Sequence, residues 1–75
     1  MPRYFFEVSD GKVMYTDEDG MRFPDRDTAC DAGRRLAAEL ALDLPELHGF
    51  AVVISDEKGE LVHSVAVSPP IGKFQ

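Results

Sequence analysis

The sequence predicts an α+β fold, a small ββαββ domain in which a four-stranded antiparallel sheet carries one helix on one face. Three observations predict it. The stretch from Asp25 to Leu42 reads convincingly as a helix, with a start signal ahead of it and no proline inside it. Runs rich in β-branched and aromatic residues lie on both sides of that stretch. Asp10-Gly11 and Asp56-Glu57-Lys58-Gly59 break those runs where hairpin turns belong.

Arg3 to Ser9 is the first expected strand, with Tyr4, Phe6 and Val8 on one side and Phe5, Glu7 and Ser9 on the other. Asp10-Gly11 turns the chain, and Val13, Met14 and Tyr15 read as a short return. Asp17-Glu18-Asp19-Gly20 is a second turn, after which Met21 to Phe23 adds a few extended residues. Phe23 precedes the helix as a staple residue would.

The helix opens at Pro24-Asp25, where the Asp25 carboxylate can accept from an orphan N–H of the first turn. Asp27 and Asp31 put negative charge near the positive end of the helix dipole. Ala29, Ala32, Gly33, Leu36, Leu40 and Leu44 recur at three- and four-residue steps and define the expected buried face. Asp31 and Arg35 are spaced for an ion pair one turn apart. Gly33 costs about 1 kcal/mol of helix propensity relative to alanine, so close approach to the sheet is its expected purpose. Pro45 and Gly49 end the helical region.

Phe50 to Ser55 and Leu61 to Ser68 form the second expected hairpin, closed by a type I turn with Gly59 in the left-handed region. Pro69-Pro70 stops the last strand. The domain is expected to span 1–68, with 69–75 a loose tail; docking on a partner through Phe74 is the alternative to disorder there.

The opening M-P-R-Y-F-F-x-V-x-D-G, then Asp17 and Gly20, Pro24-Asp25, an Ala- and Arg-rich helix, and Asp56-x-x-Gly59 before a final strand resemble a family of short bacterial proteins of uncharacterised function. The resemblance covers almost the whole chain. It implies a stand-alone ββαββ domain and transfers no catalytic residue. Glu7 stands where the family pattern has His or Asp, and His63 where an aliphatic residue is usual. Phe23-Pro24-Asp25 ahead of an Ala-rich helix is also similar to antitoxins of the HicB kind, an analogy of pattern.

Seventy-five residues make one domain with a small core. The net charge of −6 shows no basic face for displacing counterions from nucleic acid, so no nucleic acid is expected as partner. No leader pattern and no long apolar run is visible, which predicts a cytoplasmic protein without membrane contact. Cys30 is the sole cysteine and sits beside Asp31, which disfavours a reactive thiolate, so it reads as an ordinary small residue.

An EF-hand reading of the Asp17–Gly20 loop would put Tyr15 first and Arg26 twelfth, and both are wrong for calcium. Cys30, His48 and His63 lack the spacing of a known metal site. His63 reads as a partly buried histidine with a backbone partner, and His48 as exposed. No serine has a glycine-flanked elbow, and Asp25 and Asp27 would repel phosphate from the helix start. No catalytic residue, metal or cofactor is expected.

Packing supplies the functional expectation. The helix should cover Tyr4, Phe6, Val8, Phe50, Val52, Ile54, Leu61, His63, Val65 and Val67. The opposite face should then hold Phe5, Ala51, Val53, Val62 and Ala66 with Glu7, Ser9 and Ser64 among them. One helix cannot cover both faces of a sheet, and an uncovered apolar patch marks an interaction surface. The expectation is therefore a non-enzymatic interaction module that forms a homodimer, face to face or by edge pairing. The alternative is an antitoxin-like regulator whose acidic surface suits a basic partner protein.

Overall fold

A computed structural model of the chain describes residues 1–67; the tail 69–75 and Ser68, expected to end the last strand, lie outside the described residues. The chain runs β1 (Arg3–Ser9), β2 (Met14–Tyr15), β3 (Met21–Arg22), α1 (Arg26–Asp43), β4 (Ala51–Ser55) and β5 (Leu61–Ala66). The α+β class therefore holds. The sheet is antiparallel in the order β2-β1-β4-β5, with β3 pairing the other end of β1, so it has five strands where four were expected. Met21 and Arg22 make the fifth by pairing with Tyr4 and Arg3.

Local chemistry fixes the turns. Asp10 Oδ1 accepts from the N–H groups of Lys12 and Val13, both at 2.8 Å, which closes the first hairpin. In the second hairpin Gly59 N–H donates to the Asp56 carbonyl at 3.0 Å and Gly59 has φ +82°, the left-handed conformation expected of it. Asp25 caps α1 by accepting from Thr28 N–H and Thr28 Oγ1, both at 2.8 Å. The ion pair on the helix joins Asp31 to Arg34 at 2.7 Å rather than to Arg35, one residue nearer than expected. Both groups are exposed, so the pair adds little stability.

The helix meets the sheet through Ala29, Gly33, Ala37 and Ala41, all buried. These four residues lie one turn apart on a single ridge, and none is larger than alanine. Ala37 and Ala41 were not among the expected face residues. Leu36 and Leu40 flank the ridge and are half-buried, and Leu44 is the C-cap. Small residues let α1 lie close to Val52 and Ile54, which are fully buried beneath it. The helix packs chiefly over β4 and β5, with Phe6 of β1 reaching its flank at Gly33. Phe23 turns its ring onto Tyr4 and Phe6, with centroids 6.1 and 5.9 Å away.

One register feature corrects the expected side-chain assignment of the last strand. Ile54 pairs with His63, but Ser55 pairs with Leu61, so β5 carries an extra residue at Val62. This β-bulge shifts the alternation by one residue. Val62 therefore packs against the core side, and it does not belong to the helix-free face. Leu61, expected inward, is 66% exposed and joins that face instead.

Candidate functional site

The helix-free face is built by alternation along β1 and β4, which exchange a full ladder from Phe5–Ser55 to Ser9–Ala51. The register aligns its residues in three cross-strand rows. Ser9, Ala51 and Ala66 form one row, and Glu7, Val53 and Ser64 the next. Phe5, Ser55 and Leu61 form the third. Five of the expected face residues, Phe5, Glu7, Ala51, Val53 and Ala66, are thus brought together; Val62 is not. Leu61 was missed because no residue type marks a bulge. Met14 extends the face by pairing with Ser9.

Phe5 is held by its neighbours. A Cβ at Gly20 would lie 2.9 Å from Phe5 Cε2 and 2.8 Å from the Tyr4 carbonyl, so the bare glycine lets the turn lie against the ring. Beside Phe5 is a hollow of about 360 Å³ lined by Glu7, Asp17, Asp56 and Glu57, with Thr16, Ser55 and Gly59. Sequence separation hid this grouping, because β1 and two distant turns contribute to it. Asp17 Oδ1 accepts from Gly20 N–H at 3.0 Å, and Asp56 Oδ1 from Lys58 and Glu60 N–H at 2.9 Å, so these two carboxylates also hold their own turns. Glu57 Oε1 accepts from Arg3 N–H at 3.1 Å. A hollow lined by a phenyl ring and four acidic residues is suited to a cationic side chain.

The helix side is also incompletely covered. Because α1 lies over β4 and β5, a trough remains between its leucine ridge and β1. One end, about 350 Å³, is lined by Val8, Tyr15, Leu40, Leu44, Glu46 and Leu47. The other end, about 290 Å³, is lined by Phe6, Asp17, Met21, Ala32 and Leu36.

The residues considered for metal chemistry are dispersed in role. His63 is half-buried on the helix side, opposite Ile54. His48 follows a single 3-10 turn, Pro45–Leu47, with Nε2 at 3.3 Å from the Ala41 carbonyl at the end of α1. Cys30 is a half-buried free thiol on the helix. Among the described residues no group of three or more His, Cys, Asp or Glu side chains is placed to hold a metal ion. No helix among them is long and apolar enough to cross a membrane.

With this geometry in place, the comparisons identify the chain by family. It belongs to the family described as a domain of unknown function (DUF6894), whose model matches residues 3–68. No curated protein and no solved structure matches it.

Proposed function

We propose that this member of the family is a non-enzymatic, self-associating protein-interaction module of bacterial origin that works in the cytoplasm. The helix-free sheet face is its binding surface, centred on Phe5, Glu7, Ala51 and Val53 and flanked by Ala66 and Leu61. One observation carries the reading: α1 packs on one face of the sheet, and among the described residues nothing covers the other face, where Phe5, Ala51 and Val53 lie half-buried beside Glu7. Light scattering at high micromolar concentration should give the mass of two chains, and a mass of one chain refutes self-association. Affinity capture of the tagged protein from its own cells should recover a partner that Phe5→Asp or Val53→Asp abolishes. Capture unaffected by both variants refutes the face.

A second reading rests on the hollow beside Phe5. Four carboxylates around an aromatic ring favour a basic partner, as an antitoxin-like regulator would need. Gene neighbourhood separates the two readings, since a small toxin-like gene alongside favours the second. Neither reading calls for nucleic acid, a membrane or a cofactor.

A further inference from the structure

The strand edges of this sheet are unlike one another. On one side β1 is bordered by β2 and β3, two residues each, with charged Asp10, Lys12, Asp17, Glu18, Asp19 and Arg22 in and around them. Short, charged edges resist pairing with another chain. On the other side β5 is the last strand of the sheet among the described residues, and its six residues, Leu-Val-His-Ser-Val-Ala, include no acid, lysine, arginine or proline.

The direction of its main-chain groups follows from one bond. Val67 N–H donates to the Phe50 carbonyl at 2.8 Å. Backbone groups alternate sides along a strand, so Val65 and His63 also face β4 while Ser64 and Ala66 turn theirs outward. The outward groups lie clear of the bulge at Val62, in the regular part of the strand.

We infer that β5 is the self-association surface, pairing antiparallel with β5 of a second copy so that the two sheets become one. This gives the self-association proposed above to the sheet edge, leaves the helix-free face to a partner protein, and rests on that reading. In a two-fold arrangement centred on Val65, Ser64 of one copy exchanges hydrogen bonds with Ala66 of the other, and Ala66 with its Ser64. Val65 meets Val65 and His63 meets Val67, so no carboxylate opposes another. The neutrality of the strand suits this occupant. Each copy carries −6, and the strand is the stretch along which two such copies meet without opposing carboxylates. A basic partner finds no carboxylate on it.

The helix position is compatible with the same dyad. Lying over β4 and β5, each α1 stands within about two strand spacings of the axis, so the two helices face one another across it. Ala32 and Leu36 line the trough above β1. Cys30 and Ala38 therefore fall on the flank toward β5, and both are small and half-buried. Arg34 on that flank is already paired with Asp31.

Amide hydrogen exchange tests the inference on the intact chain. At high micromolar concentration the Ser64 and Ala66 amides should exchange roughly tenfold or more slowly than in a diluted sample, approaching the protection of Val65. Ser64→Pro removes an outward N–H and leaves the bonds to β4, so it should weaken dimerisation by roughly tenfold or more while the circular dichroism of the fold persists. If that variant does not fold, the exchange data decide alone. A two-chain mass with Ser64 and Ala66 exchanging at unprotected rates overturns the edge and leaves self-association standing. A one-chain mass overturns both.

Discussion

Gly33 shows how one residue sets the approach of helix to sheet. A Cβ there would lie 2.5 Å from Ile54 Cδ1 and 3.2 Å from its Cγ1, with Phe6 Cε2 at 3.5 Å. Ile54 is fully buried, so its side chain has little room to withdraw. Alanine would gain about 1 kcal/mol of helix propensity, against an overpacking cost of about 1–3 kcal/mol. Gly33→Ala should therefore destabilise by about 1 kcal/mol in urea denaturation. Ile54→Val removes the offending Cδ1, so the double variant should lose less stability than the two single losses added together. Additive losses would mean that no contact is made there. Two exposed carboxylates act differently, through charge. Backbone N–H groups of Val13 and Lys12 hold the Asp10 carboxyl below its ordinary value of 3.8, and the Thr28 N–H and hydroxyl do so for Asp25. Both groups thus favour the ionised folded state. The stability they add is full above the ordinary value and is lost as pH falls through the lowered folded value. With both changed to Asn, the thermal midpoint should fall less steeply below about pH 4 than that of the parent. An unchanged acid limb would show that other carboxylates govern it.

At the scale of elements, the bulge in β5 makes a prediction that strict alternation reverses. Leu61 looks away from the helix and Val62 packs on the core side. Leu61→Ala should change stability by no more than about 0.5 kcal/mol, whereas Val62→Ala should cost about 1 kcal/mol. Denaturation midpoints in the opposite order would restore the unbulged register. The comparison also shows what was legible in the sequence. Helix limits, both main hairpins and the conformation of Gly59 are local properties, fixed by capping, turn chemistry and periodicity within a few residues. The bulge is a mismatch between loop geometry and ladder register, and Val62 carries no mark of it. The seat of α1 over β4 and β5 was equally hidden. Periodicity places Ala29 and Gly33 on a buried face, but the small ridge completed by Ala37 and Ala41 emerges only when the leucines are displaced to the flank. Five of the expected face residues share a face because β1 and β4 alternate without interruption. The carboxylates around Phe5 were not legible, because a strand and two separate turns bring them there.

For the whole molecule, charge and apolar surface act in opposition. A chain of net charge −6 repels its copy, yet it presents an uncovered sheet face, a trough beside the leucine ridge and an uncharged edge. The two kinds of association proposed here respond to salt with opposite sign. Pairing of two like-charged copies along a neutral strand gains when repulsion is screened. Capture of a basic partner by Glu7, Asp17, Asp56 and Glu57 loses, because the attraction is screened equally well. Raising the salt from about 20 to about 500 mM shortens the screening length from roughly 20 to roughly 4 Å, which covers the distance between facing surfaces. The dimer dissociation constant from sedimentation equilibrium should therefore fall over that range, while affinity for a basic partner should drop. A self-association that weakens with salt would mean that opposed charges, not the neutral edge, hold the copies together. In that case the acidic hollow of one copy would be meeting a basic patch of the next, a head-to-tail contact in place of a two-fold one.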